Sequence, residues 1–282
     1  MKNVLFQVKY DIINGIVHQW KKFAVLAVVY AVIIAEFLAR YKIKNLGEIY
    51  TTADIVLWLF KGMDRITDTQ RNIEIPTAYI LPNILIAFII GNYPFKDING
   101  YGGMVLIRAR KKSVWWVGKC VWAVFTALVS YGIMFVEVLS VSAVGGEVTF
   151  RVGKQVCSKI CGYNRMYIEN NTNLTKLAIC MVLVGLLTTI AVNLVQMCMS
   201  QIAGPIVGYI VVVTVLVMSV FVRSFLVIGN GFMAMRNSLY SPEGGDIRFV
   251  IIADVVLIVV SVAVGYISFK RMDIMKKGDW RM

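Results

Sequence analysis

Residues 177–198 read LAICMVLVGLLTTIAVNLVQMC, a run of 22 residues without a charged side chain. A helix needs about 20 consecutive apolar residues to cross the hydrocarbon core of a bilayer. The amides of Asn193 and Gln196 suit hydrogen bonds between neighbouring helices in such an environment. The stretch therefore predicts a transmembrane helix, and the remaining sequence is interpreted with a bilayer as its solvent.

Five further stretches have the same apolar character, at residues 23–39, 78–95, 114–145, 205–222 and 249–269. The whole chain is 59% hydrophobic, above the ~45–50% of soluble domains. The sequence predicts an all-α polytopic membrane protein of about six transmembrane helices, with one transmembrane domain over residues 23–282. The apolar run 55–60 is too short to span and predicts a short helix on the outer surface.

Residues 1–22 predict an amphipathic helix that lies in the membrane interface. Its apolar residues recur at helical spacing: Leu5, Val8, Ile12, Ile16 and Trp20. Such a stripe inserts among acyl chains while the polar face meets the headgroups. Membrane lipid is therefore an expected partner, and Trp20 is expected to anchor the helix at the interface.

The basic residues predict the orientation of the chain in the plasma membrane. The net charge is +13, and segments 1–22, 96–113, 199–204 and 270–282 hold 14 Lys and Arg in 59 residues. The segments between the other ends of the spans hold 14 in 94 residues. Because cytoplasmic loops are enriched in Lys and Arg, both termini are predicted to be cytoplasmic. The cations lie between spans, so no nucleic-acid partner is expected.

The sequence offers no catalytic residues and no metal site. His18 is the only histidine, which excludes a three-histidine zinc site and a histidine-based nucleophilic dyad with a buried partner. No phosphate-binding loop of the G-x-x-x-x-G-K-[ST] type occurs, so this chain is expected to be neither an enzyme nor a holder of a cofactor. Whether Cys157 and Cys161 form a disulfide depends on backbone geometry and stays open.

Three acids fall within predicted spans: Glu36, Glu137 and Asp254. Carboxylates inside a membrane are costly and often functional. One interpretation is a structural ion pair or a hydrogen-bonded carboxyl between helices. The other is an acidic patch in the outer half of a substrate pathway.

The segment between the second and third spans is strongly basic, and residues 103–119 read GMVLIRARKKSVWWVGK. A short apolar run leads into a cationic cluster and then into Trp115 and Trp116, which are expected to anchor the third span at the membrane interface. The segment is either a basic loop that sets orientation or a docking element for a cytoplasmic partner.

The order of these features resembles the small six-helix permease subunits of ATP-binding-cassette (ABC) exporters, over nearly the whole chain. Residues 103–119 are similar to the coupling helix that such permeases place against their ATPase. The resemblance implies an ATPase-coupling role for Met104, Val105, Leu106, Ile107, Arg108, Arg110 and Lys111. Residues 231–237 and 270–274 also look like segments of this family.

The resemblance further implies two kinds of partner: ABC ATPase subunits, which would bind ATP and magnesium, and a second permease subunit, identical or different. Export of an antimicrobial or signalling peptide is the expected role. Export of lipid-linked polysaccharide or another amphipathic compound is an alternative, and so is a membrane partner or sensor that transports nothing. An intramembrane protease would need a Ser–Lys pair, and no lysine lies in the middle of a predicted span.

Overall fold

The fold is described from a computed structural model, which covers residues 2–63, 75–100, 102–103, 106, 112–170, 173–222, 224 and 227–271. The described residues form these α-helices: α1 (Lys2–Ile12), α2 (Trp20–Lys44), α3 (Thr52–Leu59), α4 (Thr77–Ile98), α5 (Lys112–Gly145), α6 (Lys154–Lys159), α7 (Arg165–Asn170), α8 (Leu174–Ala203), α9 (Pro205–Phe221) and α10 (Ile247–Arg271). A π-helical turn (Ile13–Val17) follows α1, and two 3₁₀ turns (Ile228–Phe232 and Ala234–Arg236) precede α10.

Five of these helices are long and apolar enough to span a membrane: α2, α4, α5, α8 and α10. The all-α prediction is confirmed, and each of the six predicted spans coincides with a helix. The sixth, α9, is apolar but has 17 residues, at the lower limit for crossing. Gly204, with a φ of 99°, and Pro205 separate α9 from α8.

The central helix of the bundle is α8, which packs against α4, α5, α9 and α10. Its small and polar residues Gly185, Thr189 and Asn193 are buried, as expected where helix backbones approach closely in a membrane protein. By contrast, α10 exposes most of its apolar side chains. It therefore lies at the edge of the bundle.

One end of the bundle, here called the terminal end, holds α1, residues 93–98 of α4, residues 112–122 of α5 and the last turns of α10. The opposite end, here called the loop end, holds residues 45–63, 146–170 and 227–246. At the loop end α3 is buried along its whole length, so the predicted surface helix over residues 55–60 exists but lies inside the molecule. It packs beneath α6 and against α2 and α8, which cover its apolar side chains.

The 3₁₀ turns fold back into the loop end rather than projecting from it. Phe232, Met233 and Ala234 are buried, and the amide of Ala234 donates to the carbonyl of Phe60 at 2.7 Å. The Arg236 guanidinium donates to the carbonyls of Ser219 and Val220 at the end of α9. These bonds satisfy helix-end carbonyls that have no partner within the helix.

Candidate functional site

The most distinctive polar arrangement is a buried lysine at the terminal end. Lys119, on α5, is fully buried and lies 2.5 Å from Asp11 Oδ1 and 2.7 Å from Asp97 Oδ2. Asp11 belongs to α1 and Asp97 to the last turn of α4. One ammonium group therefore joins three helices that are far apart in sequence.

Asp11 receives two further hydrogen bonds. Gln7 Nε2 donates to Asp11 Oδ2 at 3.1 Å, and the Tyr93 hydroxyl donates to Asp11 Oδ1 at 2.9 Å. Burial raises the pKa of Asp11, while Lys119 and these donors oppose the shift. A buried carboxyl is stable only when its oxygens are hydrogen-bonded in this way.

Asp97 also accepts a hydrogen bond from a tryptophan of α5. The Trp115 indole Nε1 donates to Asp97 Oδ2 at 3.1 Å. The Lys119 ammonium also lies 4.4 Å from the centre of the Tyr93 ring and 5.0 Å from that of Trp115, within the range of cation–π attraction. Gln7, Asp11, Tyr93, Asp97, Trp115 and Lys119 together form what we call the Lys119 cluster.

The sequence places α1 against α5 through a polar stripe. Gln7, Asp11 and Gly15 recur every four residues and are all buried, whereas Leu5 and Val17 are more than half exposed. Residues at this spacing share one face of a helix. A helix is present in the predicted region, but it ends at Ile12, Trp20 belongs to α2, and Asp11 faces the bundle; the predicted place of residues 1–22 in the membrane interface stays a prediction.

Small residues allow the close approach of α1 and α5. A Cβ atom on Gly118 would lie 2.6 Å from Gln7 Cγ and 3.0 Å from Asp11 Oδ2. A Cβ atom on Gly15 would lie 2.2 Å from Trp122 Nε1. Both contacts are shorter than side chains permit, so glycine at these two positions lets the helices meet.

Of the predicted ATPase-coupling residues, the structure describes one. Leu106 is 4% exposed and packs in an apolar cluster with Ile90, Tyr93 and Trp116. Its side chain packs within this chain here, and its predicted contact with a groove on a partner stays a prediction. The other predicted coupling residues lie outside the described part of the chain: Met104, Val105, Ile107, Arg108, Arg110 and Lys111.

The three predicted interface tryptophans differ in their surroundings. Trp20 is 62% exposed at the start of α2, so its interface role stays a prediction. Trp115 and Trp116 are buried; Trp115 stacks on Phe269 at 4.6 Å between ring centres, and Trp116 Nε1 donates to the carbonyl of Val262 at 3.0 Å. Their rings and N–H groups pack against α10 and α4, and their role as membrane-interface anchors stays a prediction.

The three predicted pathway acids lie in different surroundings. Glu36 is exposed and forms an i,i+4 ion pair with Arg40 at 2.9 Å. Asp254 is buried between α10 and α8, where its Oδ2 accepts from Thr188 at 2.7 Å. Glu137 is half-buried. Among the described residues no ion pair or hydrogen bond joins any two of these acids, so their role in a substrate pathway stays a hypothesis.

A cavity of about 450 Å³ opens at the loop end, and Glu36 lies in its wall. Arg40 and Lys61 both lie near the Trp58 ring, at 5.0 and 5.8 Å from its centre, and Tyr240 also lines the space. The wall therefore combines both signs of charge with aromatic surface.

The thiols at the loop end are structural. Cys157 and Cys161 are free and fully buried, and burial raises the pKa of each thiol. In the described ranges no three metal-binding side chains lie together. The two thiols are therefore neither exposed nucleophiles nor part of a metal site there.

The Lys119 cluster was missing from the sequence prediction, although two signals for it are present. The spacing of Gln7, Asp11 and Gly15 indicates a buried polar stripe, and Lys119 interrupts an apolar stretch between Trp116 and Cys120. Neither signal identifies its partner. That pairing depends on how α1 folds back on α5, which only the three-dimensional structure gives.

Comparison with known proteins gives a family and no named relative. No curated protein and no solved structure matches the chain. The family described as protein of unknown function (DUF2705) matches residues 61–275 of the 282. The match covers α4 to α10 and includes Asp97 and Lys119, but not Asp11. Since it spans more than two thirds of the sequence, this chain belongs to the DUF2705 family.

Proposed function

We propose that this chain is the membrane-spanning permease subunit of an ABC exporter that is driven by a separate ATPase subunit. In this proposal the chain pairs with a second permease subunit, and the terminal end faces the cytoplasm. The denser Lys and Arg content of that end supports this orientation in the plasma membrane.

The observation that carries the proposal is the clamp around residues 97–113. Asp97 is the first residue of this segment and Lys119 follows its end, and the two form a buried ion pair at 2.7 Å. Trp115 Nε1 adds a second bond to the same carboxylate. Both ends of the basic segment are therefore fixed to each other and to α1.

Such a clamp suits a segment that must transmit force. A permease without a nucleotide site can be driven only through a contact that moves with its ATPase. The contact element must be joined stiffly to spanning helices, because a flexible joint would absorb the movement. In this chain α4 and α5 are joined by the Asp97–Lys119 pair, and Leu106 adds an apolar anchor inside the bundle.

Within this proposal the cations of the segment bind acidic residues of the ATPase, and its remaining apolar residues contact the same surface. Arg108, Arg110 and Lys111 supply the charge, and Met104, Val105 and Ile107 supply the apolar contact. Leu106 is buried within the bundle. ATP and magnesium bind to the partner and not to this chain.

The proposed substrate is a peptide that enters from the membrane or the cytoplasm. The cavity lined by Glu36, Arg40 and Trp58 lies at the loop end, where an exported peptide leaves. Lipid-linked polysaccharide or another amphipathic compound remains the alternative cargo. The resemblance to permease subunits of ABC exporters supports both classes of cargo.

The first test is purification of the tagged chain from its native membrane in mild detergent. We expect an ATP-binding subunit to co-elute. A double variant, Met104→Ser with Ile107→Ser, keeps every charge and should lose that subunit. Matched replacement of two exposed valines, Val25→Ser with Val117→Ser, should retain it.

Two results would contradict the proposal. If no ATP-binding subunit accompanies the wild-type chain even after cross-linking in the membrane, the permease assignment is wrong, and a non-transporting membrane partner or sensor becomes the better description. If the subunit co-elutes but the Met104/Ile107 variant binds it as the wild type does, the docking surface lies elsewhere.

A further inference from the structure

The Lys119 cluster contains more acidic groups than basic groups. Asp11 and Asp97 each bring one carboxylate, and Lys119 brings one ammonium; their side chains are at most 3% exposed. Among the residues that the structure describes, the titratable groups that face them are the phenol of Tyr93, with Tyr10 close to that phenol. Both phenols are neutral when protonated, so the cluster has a net charge of −1 if both carboxyls are ionised.

An uncompensated charge is expensive to bury. Removing an ion from water is tolerated only when a counter-ion and hydrogen bonds replace its hydration. Lys119 can neutralise one carboxylate and not two. The nearest lysine of the described part of α5 is Lys112, which is part-exposed and donates to the backbone carbonyl of Lys270.

We propose that the Lys119 cluster binds one proton, which resides on the Asp11 carboxyl and keeps α1 attached to the bundle. Asp11 lies on α1, which meets α5 through the cluster and the glycine contacts. The assignment does not depend on the proposed transport function.

The geometry favours a proton over a metal ion. A Cβ atom on Gly118 would lie 3.0 Å from Asp11 Oδ2, and one on Gly102 would lie 2.2 and 2.4 Å from the oxygens of Asp97. Backbone therefore closes the space beside both carboxyls, and a coordinated ion does not fit there. A proton needs no additional volume.

The bonds around Asp11 also suit a protonated carboxyl. Its Oδ1 accepts from Lys119 and Tyr93, and its Oδ2 lies 3.1 Å from the Gln7 amide. The orientation of a glutamine amide follows from its hydrogen bonds. With the proton on Oδ2, the Gln7 amide turns so that its oxygen accepts. Burial raises the pKa of Asp11, in the direction that retention of the proton requires.

The attachment of α1 should then weaken as pH rises. The folded-state pKa of Asp11 lies above its unfolded value of 3.8, so the stabilisation is complete below that value and is lost as pH rises through the folded-state pKa. Above the folded-state pKa both carboxylates of the cluster are ionised, and Lys119 balances the charge of only one of them. The repulsion between the two carboxylates then separates α1 from α5.

The test is infrared difference spectroscopy of the full chain in nanodiscs across a pH series from about pH 4 to about pH 9. We expect the wild-type spectrum to contain a protonated-carboxyl C=O component that Asp11→Asn removes, while the component of the buried Asp54 carboxyl is the same in both spectra. The Asp11 component should also vanish in Asp97→Asn, because removal of that charge lets Asp11 ionise against Lys119. Neutralising the exposed Glu147 by Glu147→Gln is the matched control and should leave the Asp11 component in place.

Thermal unfolding gives an independent readout. The wild-type midpoint should fall as pH rises over the same range, and both asparagine variants should flatten that dependence. The proposal is overturned if the Asp11→Asn spectrum keeps the full wild-type intensity of the protonated-carboxyl band. It is also overturned if Asp97→Asn retains that full intensity, since protonation would then not follow the charge of the cluster, or if the wild type and Asp11→Asn have the same pH profile.

Discussion

At the scale of single residues, Lys119 shows how a buried charge holds helices together. Its ammonium is enclosed by two carboxylates and two aromatic rings. A buried ion pair adds little net stability compared with an apolar replacement of the whole pair. Removal of one partner alone is costly, because the other charge stays buried without compensation.

Replacing Lys119 with methionine should therefore destabilise the protein strongly. The change leaves Asp11 and Asp97 buried without a cation, and we expect a loss of about 3–5 kcal/mol. Reversible unfolding in detergent measures it. Lys176→Met, the same change at an exposed lysine of α8, should stay within about 0.5 kcal/mol; an equal loss in the two variants would contradict the role assigned to Lys119.

Asp54 gives a second residue-level prediction, at the loop end. Its carboxylate accepts from the Thr51 amide and from the Gly153 amide, each at 3.0 Å, and burial raises its pKa from 3.8 to about 7. The folded state therefore holds a proton that the unfolded state releases. Stability should be highest below pH 3.8 and should decline as pH rises to about 7.

Asp54→Asn should flatten this decline, because the amide cannot ionise. Unfolding midpoints measured across that pH range would show it. Neutralising Glu147, which is exposed nearby in the same loop end, should leave the slope of the wild type unchanged. A slope in Asp54→Asn equal to that of the wild type would assign the pH dependence to other groups.

At the scale of elements, the length of α5 explains where α1 binds. The helix has 34 residues, about 51 Å at 1.5 Å per residue. A bilayer core is about 30 Å thick, so α5 extends beyond it. Residues 112–122 form one end of α5, and α1 packs along that part.

Two glycines of α5 provide a matched test of this packing. Gly118→Ala should cost about 1–3 kcal/mol, since its Cβ would meet Gln7 and Asp11. Gly132→Ala, on the same helix, meets nothing within 4 Å and should be neutral or stabilise by up to about 1 kcal/mol. If the two variants have the same free energy of unfolding, the packing of α1 on α5 does not depend on the close approach at Gly118.

The position of a helix was predictable from the sequence where hydropathy alone determines it. Long apolar runs can be hidden from water in few ways, so α2, α4, α5, α8 and α10 lie where the hydropathy places them. The burial of α3 and of Trp115 and Trp116 was not predictable. Their apolar surface suits lipid and protein equally, and the choice depends on which helices pack beside them.

At the scale of the whole molecule, the two ends of the bundle carry different polar features. The terminal end carries the Lys119 cluster and both ends of the basic segment. The loop end carries the cavity near Glu36 and the 3₁₀ turns. If the six apolar helices all cross the membrane, these two ends lie in different compartments.

Labelling with an impermeant thiol reagent in intact cells tests this separation. The native Cys157 and Cys161 are buried, so neither reports the topology. A cysteine at Gly47, which has open space around it, should react from outside. A cysteine at His18, exposed at the terminal end, should react only after lysis. The reverse pattern would invert the orientation, and labelling of both in intact cells would refute the predicted topology.

The bonds of Arg236 have a consequence for the order in which the molecule can be completed during synthesis. Arg236 Nε donates to the carbonyl of Met63 at 2.8 Å, across 173 residues of sequence, and its other nitrogens bind the end of α9. When Met63 leaves the ribosome, neither α9 nor Arg236 has been made. The loop end therefore stays open until translation has passed Arg236, and a chain that stops earlier leaves the carbonyls at the end of α9 without this cation.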